Sequence, residues 1–207
     1  KRKTVFPIRW AILVTLFFGS FVAGEKIYKT IFWELPTPED LALHTPNLTT
    51  KIFDRNGVLL YKIYKDENRS IVHLSALPQS VIDATVSIED KDFYTHHGIS
   101  ISGIARATFS TASGSQVQGG STLTQQLVKQ VFFPPEEANK RGLDGIPRKI
   151  KEIILAIEVE RMYNKDQILS LYLNESPYGG RRNGVESAAQ SYFGKSAKDL
   201  TLAESAL

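Results

Sequence analysis

The sequence predicts a mainly α fold with one small β-hairpin near its start and an apolar helix at its N-terminus. Three observations carry this. "WAILVTLFFGSFVAG", Trp10 to Gly24, holds no charge, apolar and polar residues alternate around Asn56-Gly57, and helical periodicity dominates from Leu77 onward.

The N-terminal elements follow in order. Residues 1–9, "KRKTVFPIR", form a basic tail carrying Lys1, Arg2, Lys3 and Arg9. Residues 10–28 are expected to be a transmembrane signal-anchor. The fifteen uncharged residues rise about 22 Å as a helix, short of the roughly 30 Å hydrocarbon core. Arg9 and Lys26 can snorkel, and Ile27 and Tyr28 extend the span. The alternative is a secretory segment cleaved near "VAG". On either reading the basic tail stays in the cytoplasm and the rest of the chain lies outside, in a single-pass arrangement. Residues 29–49, with "ELPTPEDLALHTPNLTT", form a proline-bearing connector, and residues 50–207 form the domain.

Within that domain "TKIFDRNGVLLYKIY" reads as the hairpin. Helices are expected from Pro78 to Asp92, Ile101 to Thr111, Thr122 to Phe132, Pro147 to Tyr163, Lys165 to Leu173, Gly184 to Tyr192, and Leu200 onward. Thr122 with Gln125, Asn164 with Gln167, and Thr201 with Glu204 are box-like caps, and Pro147 suits a first helical turn. "STASGSQVQGG" and "FPPEEANKRGLDGIP" read as long loops.

Composition excludes several functions. A net charge of +3 is too small to argue for nucleic acid, but it suits work beside anionic head groups or phosphates. The absence of cysteine rules out disulfides, thiolate zinc sites and Cys nucleophiles, and the four histidines show no metal-ligand spacing.

Three constellations carry chemistry. On a helix from Pro78 to Phe93, Ile82, Val86, Glu89 and Phe93 fall on one stripe, with Asp83, Ser87 and Asp90 on another side. This spacing predicts a poorly hydrated Glu89, tuned toward general-base work, and an Asp90 open to water. The plain alternative is a helix-end glutamate that swings out to solvent. In "GGSTLTQQLVKQ" two glycines lead into a Ser-Thr helix start, leaving N–H groups and hydroxyls for an anion. Thr122, Gln125 and Lys129 then share a face suited to sugar and phosphate oxygens. In "RKIKEIILAIEVE" Arg148, Lys149 and Glu152 cluster at a helix start, as ion pairs or as a cationic clamp with a carboxylate beside it.

Taken together, "EDKDFYTHHG", "GGSTLTQQLVKQ", "RKIKEIILAIEVE", "KDQILSLYLNESPYGG" and "GVESAAQSYFGKSAKDLTLAESAL" resemble the five ordered motifs of the peptidoglycan glycosyltransferase domain. That domain is found in class A penicillin-binding proteins and monofunctional glycosyltransferases, and the resemblance covers roughly Leu77 to Leu207. It implies a two-lobed, lysozyme-like fold with a membrane-associated jaw, located outside the cytoplasmic membrane of a bacterium. It implies lipid II and the growing glycan chain as substrates and undecaprenyl pyrophosphate as leaving group. By the same resemblance Glu89 is the catalytic base, and Glu152 assists the leaving group or organises the site. Lys129, Arg148 and Lys149 meet the pyrophosphate, and Ser121, Thr122 and Gln125 line the cleft. Asp90, Phe93, His96 and Gly98 support the site. Phosphoglycolipids of the moenomycin type become expected ligands. No cofactor is required, although the pyrophosphate leaves room for a Mg or Mn ion.

The leaving group gives the pattern its physical sense. A sugar alkoxide needs a general acid, whereas a pyrophosphate needs charge neutralisation. One carboxylate with several cations therefore favours transfer over hydrolysis. The other readings are a lysozyme-like peptidoglycan hydrolase and a non-catalytic, membrane-tethered binder of glycan or lipid pyrophosphate. Apolar residues around Ile99 to Phe109 and Val131 to Phe133 are candidates to dip into the lipid interface. Gln130 stands where the family usually has Asn, and "LTLAESAL" stops inside a helix, before the remaining helices of such a domain. There is no Ser-x-x-Lys for a transpeptidase reaction.

Overall fold

The computed structural model describes residues 6–33, 35–44, 48–64, 68–103 and 120–207. Helix α1 spans Phe6–Phe32. Its Trp10–Phe32 stretch is long and apolar enough, by length and composition, to cross a membrane. Nearly all its described side chains are exposed, from Trp10 through Phe18 to Tyr28, whereas Ile31 is buried. The helix thus runs past Tyr28 and touches a helix of the domain.

The segment after α1 is more than a spacer. It forms a short helix, α2 (Asp40–Leu43), whose Leu41 is only 1% exposed and joins the core. Strands β1 (Thr50–Phe53) and β2 (Leu59–Ile63) pair antiparallel, with a register shift at Ile52/Phe53. The Asp54 carboxylate accepts from the N–H groups of Asn56 and Val58, closing the turn over Gly57 at φ 80°. Strand β3 (Asn68–Arg69) pairs in parallel with β4 (Arg182–Asn183), a contact absent from the sequence reading.

The helical body comprises α3 (Gln79–Glu89), α4 (Leu123–Phe132), α5 (Pro135–Ala138), α6 (Ile146–Met162), α7 (Lys165–Glu175), α8 (Val185–Tyr192) and α9 (Leu202–Ser205). Two of the expected caps are full capping boxes, Asn164 with Gln167 and Thr201 with Glu204. At Thr122 the side chain accepts from the Gln125 N–H, but the Gln125 amide is used elsewhere. Helix α3 stops earlier than expected, at Glu89. The expected helix at Ile101 to Thr111 and the loop "STASGSQVQGG" lie largely outside the described residues. The stretch after Phe133 is folded: it holds α5 and a 3₁₀ turn at Gly142–Gly145.

Helix α4 packs against α6 and α7, and this three-helix contact is the centre of the core. Leu123, Leu127, Val128, Leu155, Ala156, Val159, Ile168, Leu169 and Leu173 are fully buried there, each large aliphatic contributing about 1.5–3 kcal/mol. Phe133 is buried, and Val131 and Phe132 are partly buried and pack against the same core. At the end of α7, Arg69 donates to Glu175 across 2.5 Å with both side chains buried. Asn174 clamps the Val72 backbone from both sides, accepting from its N–H at 2.9 Å and donating to its carbonyl at 3.0 Å. The Asn-Glu pair of the fourth motif therefore fastens the segment after the hairpin onto the helical body.

Because Leu41 fills the core from the connector, Leu41→Ala should lower stability by about 2–5 kcal/mol. Denaturant unfolding checks this, and a change below about 0.5 kcal/mol would make α2 a loose tether.

Candidate active site

The site begins where α3 ends. Asp90 leaves the helix at φ −159° and ψ 76°, so the helical stripe cannot be continued to Phe93. The expected arrangement is therefore reversed. Asp90 is buried and Glu89 is exposed. The buried Asp90 carboxylate accepts from the Leu123 N–H, at the start of α4, at 3.0 Å. The same oxygen lies 2.8 Å from His96 Nε2. Glu89 instead accepts from the Gln126 side-chain amide at 2.7 Å.

Below it the chain folds back through Phe93, which is fully buried, and Gly98. Lys165 lies 4.4 Å from the Phe93 ring centroid and donates to the His96 carbonyl at 2.7 Å. Its ammonium also meets Glu160 at 2.5 Å, and Glu160 accepts from the Thr124 hydroxyl. Gly98 has φ +83°, and a Cβ there would lie 2.7 Å from the Ala156 carbonyl oxygen on α6. The Gly98 carbonyl accepts from Thr122 Oγ1 at 2.9 Å and from Gln125 Nε2 at 3.1 Å. Thr122 and Gln125, expected to face substrate oxygens, are buried and hold Gly98 instead.

The remaining group of Gln125 leads to the cations. Its Oε1 accepts from Lys149 Nζ at 2.9 Å, and Ser121 Oγ accepts from the same ammonium at 2.7 Å. Lys149 is also 3.2 Å from Glu152 Oε2, while Arg148 Nη1 donates to Glu152 Oε1. Glu152 is 2% exposed, with one cation on each oxygen. Burial pushes the Lys149 ammonium below the ordinary lysine value, Glu152 pulls it back up, and the charges of Arg148 and Lys129 lower it again. Lys129 and Arg148 are thus both within electrostatic reach of Lys149.

Glu89 borders a cavity of about 490 Å³, lined also by Lys91, Asp92, Ser100 and Ser121 among others. Ser121 is the link, lining the cavity and accepting from Lys149. A second cavity of about 300 Å³ opens on the other side of Glu89, toward Tyr172 and Tyr178. Burial and then the Glu89 charge push the Tyr172 phenol up to about 12. Burial, Tyr172 and Glu89 raise Tyr178 as well. Both phenols are neutral at physiological pH.

Residues 56–207 match the transglycosylase family. The chain belongs to that family. It is 38% identical to penicillin-binding protein 1A of Rickettsia prowazekii over 99% of this chain, and 37% identical to penicillin-binding protein 1F of Bacillus subtilis over 100%. It is 41% identical to penicillin-binding protein 1A of Aquifex aeolicus over 95%. The chain spans about a quarter of the length of these relatives, 25%, 27% and 26% respectively.

Sequence reasoning missed several residues of this candidate site: Gln126, Tyr172, Tyr178, Glu160 and Lys165. Gln126 carried a signal, as a second glutamine directly after Gln125 must point to a different side of α4. The Lys165 contact joins residues 69 positions apart and had no local signal.

The lowered Lys149 value has a definite sign. Below 10.5 the native lysine binds fewer protons than the unfolded one, so its charged form costs stability, and that cost is relieved as pH rises through the lowered value. The stability of the wild-type chain minus that of Lys149→Met should therefore increase with pH in the window just below 10.5. Denaturant midpoints across that range measure it, and a flat difference would contradict the assigned burial.

Proposed function

We propose that this transglycosylase chain polymerises lipid II into β-1,4-linked glycan for bacterial cell-wall synthesis. The observation that carries the reading is the Lys149 ammonium. It meets Ser121, Gln125 and Glu152, and Ser121 lines a cavity whose lining also includes an exposed carboxylate, Glu89.

In the proposed step Glu89 takes the proton of the acceptor's GlcNAc 4-hydroxyl. That oxygen bonds to the anomeric carbon of the growing chain's MurNAc as the bond to pyrophosphate breaks on the opposite face. The α linkage becomes β, and undecaprenyl pyrophosphate leaves with its electron pair. Arg148, Lys149 and Lys129 neutralise the departing charge, which is the larger contribution for so weakly basic a leaving group. Glu152 holds Arg148 and Lys149 in place. The helical stripe does not desolvate Glu89, so substrate filling the cavity would have to exclude water from it. Among the described residues no group of three or more His, Asp or Glu side chains could hold a metal ion.

The finer fold belongs to the same reading, with two lobes as in lysozyme and the cavity as the groove between them. So does the placement: α1 would anchor the chain in the cytoplasmic membrane, with the domain outside and facing its lipid substrate. A moenomycin-type phosphoglycolipid, combining sugar and phosphate, would compete for the same cations.

Incubation of the full chain with lipid II in detergent tests the function. Polymer is expected, cleaved glycan would indicate the hydrolase, and retention without turnover would indicate a binder. Glu89→Gln should lower polymerisation about 100-fold or more while substrate is still bound. Near-normal yield would reject Glu89 as the base. Lys149→Ala should raise KM about tenfold, as expected for loss of a charge-assisted contact, and unchanged kinetics would remove it from the pyrophosphate site.

A further inference from the structure

Glu89 sits at the last position of α3, and its position is set by neighbours on two other helices. Gln126 on α4 donates its amide N–H to Glu89 Oε2 at 2.7 Å. The other end of that amide, Oε1, accepts from the Tyr172 hydroxyl on α7 at 3.4 Å. The Gln126 amide has only one orientation that serves both partners. A carboxylate accepts and cannot donate, so the NH₂ group must face Glu89 and the carbonyl must face the phenol. A flipped amide would set two oxygens against each other. Tyr172 is 6% exposed in the core, whereas Gln126 is half-buried and Glu89 exposed. The order of the three is therefore rigid to mobile, from core to cavity.

We infer that Tyr172, acting through Gln126, is the positioning residue that fixes the Glu89 carboxylate at the junction of the two cavities it lines. The inference rests on the proposed base role of Glu89. The phenol is suited to the task because burial and the nearby carboxylate keep it protonated across the physiological range. It can thus donate to Gln126 at any pH at which the chain works. A free glutamate at a helix end samples many rotamers, and most would aim away from an acceptor hydroxyl. Holding it in one orientation supplies the alignment that proton transfer needs.

The test is a double-mutant cycle on lipid II polymerisation by the full chain, with melting temperature measured alongside. Gln126→Leu should lower kcat about 10- to 100-fold, as expected for losing a hydrogen bond to a charged group. Tyr172→Phe, which keeps the ring, should lower kcat by about 3- to 10-fold. KM should stay within about twofold in both. The double variant should be no slower than Gln126→Leu, because Tyr172 acts only through that amide. Multiplicative losses, or losses that fall on KM or track a lower melting temperature, would overturn the positioning role. An active parent chain with an inactive Glu89→Gln variant and an unimpaired Tyr172→Phe variant would sink this inference alone. A parent chain that makes no polymer would overturn the underlying reading as well.

Discussion

The backbone of Gly98 lies so close to α6 that a methyl group there would come within 2.7 Å of the Ala156 carbonyl oxygen. That approach decides where the first motif sits. Its carbonyl is then reached by Thr122 and Gln125, the second motif, and Gln125 passes the contact on to Lys149 in the third. One backbone carbonyl therefore joins three stretches of sequence that are far apart in the chain. Asp90 adds a second stitch, since its carboxylate accepts from the first turn of α4, where exposed helical N–H groups favour a negative partner.

This framework separates the charges by task. Glu152 is buried, with a cation on each carboxylate oxygen, and such a pair adds little net stability after desolvation. Its effect is positional: it holds Arg148 and Lys149 beside one another at the start of α6. Lys149 remains partly exposed and is destabilised by burial and by two neighbouring cations. Glu152 offsets part of that repulsion, and under the proposed function a bound pyrophosphate would relieve more of it. Glu89 stands outside this network, exposed at a cavity that Ser121 also lines.

Much of this was legible in the sequence, and the exceptions have physical causes. The helix starts were readable because caps are local: Asn164 and Thr201 form the boxes their spacing announced. The hairpin was readable from Asn56-Gly57. The stripe placed Glu89 inward and Asp90 toward water, because a helical wheel assumes that the helix continues; the structure matches the alternative, a helix-end glutamate turned to solvent. The helix ends at Glu89, and the backbone turn at Asp90 sends that residue inward. Thr122, Gln125 and Lys129 follow one another at helical spacing along α4, yet the first two are buried against the Gly98 carbonyl. Periodicity reports a shared face but not what covers it. The Arg69–Glu175 pair, the β3–β4 pairing and the Lys165 contacts depend on residues brought together only by the tertiary fold.

The dependence on Gly98 is open to direct measurement. Equilibrium urea unfolding of Gly98→Ala should show a loss of about 2–3 kcal/mol, from a left-handed backbone that alanine disfavours and from the clash with Ala156. Stability within about 0.5 kcal/mol of the parent chain would mean that the two backbones do not meet, and that the three motifs are held together by something else.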